Sequence, residues 1–486
     1  MIQPRTIATE VEWNESINRL SDGRLTLFGL WGDGVDVNMA HLDERTGRLG
    51  VITYTCKDGK YPSVAAKHPP AIRLERAIRD LFGLDAERAP DTRPWLDLGK
   101  WDVRHPLGKS EPAQKPAAYA FLPVEGEGLH QIPVGPVHAG IIEPGHFRFT
   151  ANGEHVVRLE QRLGYVHKGI ESLMAGASLD DAAKLAGRSS GDSTVAYAFA
   201  FAQAAEAALQ VTPPPRAVYL RALMAELERL ANHFGDIGAI CNDASFAMMH
   251  AQCGVLRERI LRAAAACFGH RLMMDAIVPG GVARDLARQG TAQMQELLAE
   301  IRRAFPRLVE LYDNTGSLQD RTVTTGIVTP EYARQFGAGG YIGRASGRAF
   351  DARRTLAYAP YGRLKFEVPV LSAGDVNARV WIRIREVEQS LALIEQILGD
   401  LPVGEFKTAV RAPGGACEGL GLAEAFRGDV LVWLRLDGKG RVARCHLRDA
   451  SWFQWPLLEA AIEGSIVADF PICNKSFNCT YSGHDL

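Results

Sequence analysis

The chain predicts an α+β fold: a small N-terminal α/β domain, then a larger domain built on a central α-helical bundle with β structure at its periphery. Three observations carry this. Short β-like runs alternate with one amphipathic helix over the first hundred or so residues, long Ala/Leu/Arg-rich segments of near-helical period follow, and β-like runs return near the end. At 486 residues the chain is longer than one hydrophobic core normally grows, so two domains, or three, are expected.

In order along the chain, "RLTLFGLWG" and "GRLGVITYTC" read as strands, and "PAIRLERAIRDLFGL" repeats its apolar residues at helical spacing. From Asp97 to Pro123 the sequence is rich in Pro, Lys and Gly without a sustained period, the composition of a linker or of a segment lying over a neighbour. The domain boundary is placed inside it, dividing the chain into 1–120 and 121–486. The segments "LEQRLGYVHKGIESLM", "STVAYAFAFAQAAEAAL", "RAVYLRALMAELERLANHFGDIGAI", "CGVLRERILRAAAACFG" and "GTAQMQELLAEIRRAFPRLVELYDN" then predict helices. "AYAFAFAQAAEAAL" is nearly apolar all round and belongs at the centre of the bundle. A further helix is predicted in "DVNARVWIRIREVEQSLALIEQIL", and strands in "GDVLVWLRLDGKGRVARCHLRD", where Asp437-Gly438 supplies a hairpin turn.

Composition excludes several function classes. Lys+Arg 55 against Asp+Glu 57 gives a net charge of -2, and no run of five like charges occurs, so there is no footprint for nucleic acid. The N-terminus lacks the order of a signal peptide, and no apolar run is long enough to cross a membrane. The 8 cysteines are scattered singly, which favours reduced thiols in the cytoplasm. "GLGLAEAF" and "GDIGAI" belong to no strand–G-x-G-x-x-G–helix unit, so no dinucleotide site is expected and their glycines read as turn formers.

Three stretches could carry chemistry. "RSSGDSTVAYAF" sets Ser190 and Ser193 around Asp192 at the mouth of a helix; without a G-x-S-x-G elbow, spacing alone reads them as helix caps. "GPVHAGIIEPGHF" brings His138, Glu143 and His146 together in a Gly/Pro-rich loop. The tail "DFPICNKSFNCTYSGHDL" holds Cys473, Cys479 and His484, weak candidates for a soft or borderline metal because four ligands at clean spacing are lacking.

The order of motifs then becomes decisive. "LERAIRDLFGL" followed by "RHPL" resembles the 30-kDa subunit of respiratory complex I, marked by E-R-E-x-x-D-x-F-G. Glu75, Arg76, Asp80, Phe82 and Gly83 match, and Ala77 stands where that family has its second glutamate. "LEQRLGYVHKGIESLM", "MAELERLANHFGDIGA", "PGGVARDL", "GRASGRAFDARR" and "GDVNARVWIRIREVEQSL" resemble the 49-kDa subunit of complex I and its relative, the large subunit of group 4 nickel–iron hydrogenases. The fused order resembles the large subunit of formate hydrogenlyase-type complexes.

What the resemblance implies is specific. Nickel–iron hydrogenases carry R-x-C-G-x-C after the first of these helices; here Arg188 and Gly191 match, but Ser190 and Ser193 occupy the cysteine positions. The second hydrogenase motif, D-P-C-x-x-C, is met loosely by Asp469, Pro471, Cys473 and Cys479. Serine is a hard, weak ligand that cannot replace a bridging thiolate, so an intact nickel–iron centre is not expected. His138 matches the G-P-x-H of quinone-reducing relatives, while their next histidine falls at Ile142. Glu143 matches a glutamate associated with proton relay in group 4 hydrogenases; part-buried among Gly and Pro, its carboxyl would be raised toward neutrality.

The implied protein is the large peripheral-arm subunit of a membrane-bound oxidoreductase related to NADH-quinone oxidoreductase and group 4 hydrogenase. It would sit on the cytoplasmic face of the cell membrane with an iron–sulfur small subunit that holds the proximal cluster, a ferredoxin-like iron–sulfur subunit and ion-translocating membrane subunits. The acceptor, a quinone among those the resemblance allows, would lie between His138, Glu143, Ser190 and Arg344, in a cleft shared with Arg188, Asp192 and Ser193. Any NADH chemistry would belong to another subunit. The rival readings are an active hydrogenase with atypical ligands and a non-catalytic scaffold.

Overall fold

Strand β1 (Thr6–Ile7) leads to Thr9, which starts helix α1 (Glu10–Ser21) for a local reason. Glu12 N donates to Thr9 Oγ1 at 3.3 Å and Thr9 N donates to Glu12 Oε2 at 2.8 Å, satisfying N–H groups that a first helical turn leaves free. The computed structural model describes residues 5–139 and 142–486. Strands β2 (Thr26–Asp33), β3 (Asp36–Asp43) and β4 (Arg48–Thr55) follow, and the sheet runs β1-β4-β3-β2, with only the β1–β4 pair parallel.

Helix α2 (Ile72–Phe82) ends at Gly83, whose φ of +70° is the left-handed conformation glycine adopts without strain. Two carboxylates of its resemblance motif clamp loops. Glu75 accepts from Val64 N at 2.6 Å and from Ser63 Oγ at 2.8 Å. Asp80 accepts from Trp95 N and Leu96 N, both at 2.7 Å. These motif residues therefore do structural work in holding the loops that cross α2.

Segment 97–123 is largely irregular, with one two-residue pairing of Val103–Arg104 to Glu111–Pro112, and its end lies along the second sheet through Leu122 N, which donates to Glu160 Oε2 at 2.8 Å. That sheet comprises β5 (Leu129–Val134), β6 (His146–Asn152) and β7 (His155–Arg162), antiparallel in the order β7-β6-β5. The start of "LEQRLGYVHKGIESLM", predicted helical, is therefore strand, drawn into the ladder by pairing with β6, and only Ile170–Met174 of that segment is helical.

The bundle is formed by α3 (Thr194–Leu209), α4 (Pro215–Asp243), α5 (Ala247–Phe268) and α6 (Arg288–Asp313), then the short α7 (Gly340–Ala345) and the long α8 (Val376–Gly399). As its composition predicts, α3 is buried nearly all round. It packs on β8 (Cys417–Ala425), which pairs with β9 (Gly428–Leu436), itself paired with β10 (Val442–Arg448). A Cβ on Gly419 would lie 2.1 Å from Ala204 O and one on Gly421 2.0 Å from Ala200 O. The glycines of "GLGLAEAF" thus permit close helix–strand approach rather than a turn.

The β9–β10 connection is a five-residue loop, not a two-residue turn. Asp437 Oδ1 accepts from Lys439 N and Arg441 N and shapes it. Helices α9 (Ser451–Ala461) and α10 (Phe470–Phe477) follow. One hydrophobic core fills the bundle; a second unites Trp13, Leu74 and Phe82 of the N-terminal layer with Phe147, Trp455 and Phe477. The first sheet also packs on the last through Phe28 and Trp31 against Leu431 and Trp433.

Candidate functional site

A cavity of about 300 Å³ opens where the loop before α3 meets the chain after α10. Ser190 is extended (φ −145°), and one tight turn, Gly191–Ser193, enters α3. Ser190 Oγ donates to Asp192 Oδ1 at 2.8 Å and shares a 3.0 Å hydrogen bond with Thr480 Oγ1. Arg427, carried on the β8–β9 turn, grips Asp192 with both prongs: Nη1 to Oδ1 at 2.8 Å and Nη2 to Oδ2 at 2.6 Å. Its Nη1 also lies 3.2 Å from Ser193 Oγ. Burial pushes the Asp192 carboxyl up, but the Arg427 guanidinium and the Ser190 hydroxyl outweigh it and hold it below the usual carboxylate range.

The serines are not helix caps. Ser193 makes no side-chain cap; the free N–H groups of Val195 and Ala196 are taken by Glu228, reaching across from α4 at 2.7 and 3.1 Å. Burial pushes Glu228 up to about 8 against the pull of these two N–H bonds.

The other predicted residues divide between the cavity and elsewhere. Glu143 is at the cavity, its Oε2 accepting from Ser482 N at 3.0 Å, but it is exposed rather than part-buried. His138 does not line the cavity: its Nε2 lies 2.8 Å from Gly145 O and its ring packs near Phe147, so it fastens the base of its own loop. Gly140 and Ile141 of that loop fall outside the described residues. Arg188 pairs with Asp275, with Nη2 to Oδ2 at 2.8 Å. Arg344 is fully buried inside the bundle, donating to Glu386 Oε1 at 2.7 Å and Glu424 Oε1 at 2.9 Å, and contributes no wall to the cavity.

The C-terminal candidates do not converge either. Cys479 lines the cavity, and burial pushes its thiol well up. Cys473 packs inward beside Arg379, its thiol pushed up by burial to about 11. His484 is fully buried, stacked on Trp452 at 4.1 Å with Nδ1 2.9 Å from Asp485 Oδ1. Among the described residues no three of His, Cys, Asp and Glu are grouped to hold a metal ion.

Of the two cysteines named for the second motif, Cys479 lines the cavity and Cys473 does not. Cys479 and Ser482 have the x-x spacing of D-P-C-x-x-C, and both face the cavity that Ser190 lines. Ser190, Cys479 and Ser482 line the cavity, and Ser193 stands beside them on Arg427. Three hydroxyls and one thiol of raised pKa do not fit a nickel–iron pair, which needs soft, deprotonated donors. Sequence reasoning missed Arg427, Glu228, Thr480 and Ser482. The C-x-x-S of "NCTYS" could have disclosed Ser482, whereas nothing local marks Arg427 or Glu228.

Comparison with known proteins shows the family. The "Respiratory-chain NADH dehydrogenase, 30 Kd subunit" family matches residues 29–117, and the "Respiratory-chain NADH dehydrogenase, 49 Kd subunit" family matches 243–415 and 408–485. The chain is 32% identical to formate hydrogenlyase subunit 5 of Escherichia coli (strain K12) over 437 residues, which is 88% of this chain and 77% of that protein. The chain belongs to this family of fused 30-kDa/49-kDa subunits. Hydrogenase-4 component G of the same organism is 31% identical over 88% of this chain and 76% of that protein. Among solved structures, a chain of the membrane-bound sulfane sulfur reductase, an archaeal respiratory membrane complex, superposes with a TM-score of 0.70 at 25% identity, covering 75% of this chain and all of that one. In this 30-kDa/49-kDa fusion, no helix among the described residues is long and apolar enough to cross a membrane.

Proposed function

We propose that this 30-kDa/49-kDa fusion is the large peripheral-arm subunit of a membrane-bound, complex-I-like oxidoreductase that works without a nickel–iron centre. Electrons would reach its cleft from the cluster of a neighbouring iron–sulfur subunit, and ion movement would belong to membrane partners that hold the chain at the membrane face. The division at residue 120 would separate the 30-kDa-like module from the 49-kDa-like module, to which all the cavity residues belong.

The observation that carries this reading is the replacement of the thiolate positions by hydroxyls around the Asp192–Arg427 pair. Hydroxyls, a guanidinium and a carboxylate offer hydrogen bonds and charge, not soft ligation, and suit a small polar acceptor such as a quinone headgroup. A cavity of about 300 Å³ admits a headgroup and leaves any apolar tail outside. Glu143 at the rim is placed to exchange protons with solvent, and reduction of a quinone by two electrons takes up two protons.

The test is quinone reduction by the assembled complex after reduction of its clusters. The Arg427→Gln variant is expected to lower kcat/KM about tenfold or more with iron content unchanged. Equal turnover in the variant would assign the chain to the scaffold reading.

A further inference from the structure

The bundle core holds a set of buried ions that the chemistry of the cleft does not use. Arg344 reaches Glu386 at 2.7 Å and Glu424 at 2.9 Å, and lies 3.5 Å from Asp351. Arg353 pairs with Asp351 at 2.7 Å and Glu226 at 2.9 Å. Arg229 lies 3.5 Å from both Glu226 and Glu386. All seven side chains are 0–2% exposed. Three guanidiniums therefore face four carboxyl groups, and the adjoining pairs, Arg383 with Asp236 and Arg448 with Asp429, are each balanced.

A lone buried charge is so costly that the group takes up a proton instead. His233, 2.8 Å from Glu386 through Nε2, is the other candidate for that proton. Its Nδ1 has no partner among the described residues, so a doubly protonated ring would bury an unsatisfied N–H; the geometry fits a neutral ring donating from Nε2. Among the carboxyls, Glu386, Asp351 and Glu226 each face two guanidiniums, and Glu226 also accepts from Ser390 and Tyr361 hydroxyls. Glu424 has one guanidinium, Arg344, and one N–H, from Ala352 at 2.9 Å.

We propose that the Arg344 network is a proton-binding site, with Glu424 holding the proton in the folded chain at neutral pH. The groups facing Glu424 agree in direction. Burial, with the Asp351 and Asp429 carboxylates, pushes it up to about 7 against the pull of Arg344 and Arg229, and Tyr358 stands by as a neutral hydroxyl at its backbone N–H. Glu424 is the next-to-last residue of β8, and Arg427 stands on the turn that follows it, so one strand end carries a member of each site. Charge balance and geometry place the proton there whatever the cleft accepts.

Infrared difference spectroscopy of the full chain tests it in the carboxylic-acid C=O region. The wild-type minus Glu424→Gln spectrum is expected to show a protonated-carboxyl band at about pH 6 that shifts in D2O and fades above about pH 8. The Asp351→Asn variant leaves three carboxyls for three guanidiniums and is expected to abolish the same band while Glu424 remains. A wild-type spectrum without the band at about pH 6, or a band surviving either substitution, overturns the proposal.

Discussion

Arg427 holds Asp192 in a two-pronged ion pair, 2.8 and 2.6 Å long, with the arginine buried and the carboxylate at the cavity wall. Fork-to-carboxylate geometry of this kind fixes orientation as well as charge, so the pair sets the shape of the cleft. It stands where the resemblance would place metal chemistry.

Removing one partner is expected to cost more than removing both. Arg427→Ala should destabilise the chain by about 2 kcal/mol, less than the roughly 3–5 kcal/mol of a fully buried pair because Asp192 is partly solvated, and Asp192→Asn in the same chain should recover part of it. Urea unfolding of the two single variants and the double variant measures this. Because Asp192 is held below its usual range, its contribution should be present above about pH 4 and fall away as pH drops below that.

Glu228 should show the opposite sign. Its folded value of about 8 lies above the ordinary glutamate range, so its share of stability is present at low pH and is lost as pH rises from about 4.3 through 8. Glu228→Gln keeps an acceptor for only one of the two N–H groups of α3. It should cost about 1 kcal/mol near pH 5 and flatten the decline toward pH 8, as read by thermal unfolding across that range.

The glycines of β8 make a packing prediction. Gly421→Ala would bring a methyl within 2.0 Å of Ala200 O, backbone that a buried helix cannot move cheaply. A loss of about 3 kcal/mol is expected in denaturant unfolding, with a comparable loss for Gly419→Ala.

Glu143 separates relay from scaffold. It is exposed, and among the described residues its hydrogen bond is the one from Ser482 N, so Glu143→Gln should change stability by less than about 0.5 kcal/mol. Turnover and ion movement by the assembled complex should nevertheless fall; unchanged values would remove Glu143 from the proton route.

The fold was legible wherever period and length agreed: α3 announces itself through an apolar surface on every side, and α2 through its spacing and its terminal glycine. The strand β3, "DVNMAHLD", was not, because sheet-on-sheet packing buries residues that its polar positions hide. At the site, the resemblance brought the serines and Glu143 forward, where spacing alone reads the serines as caps. It misled over Arg344, since a buried guanidinium and a catalytic one look alike before their partners are known. Arg427 and Glu228 act across separations of 235 and 33 residues, and no local motif records such pairings.

Elemental analysis of the complex, purified anaerobically with its partner subunits, tests the central claim most directly. Iron in the amounts that iron–sulfur partners hold, with no stoichiometric nickel, is the expected result. One nickel per chain would contradict it and make Cys479, with the hydroxyls around it, a metal site after all.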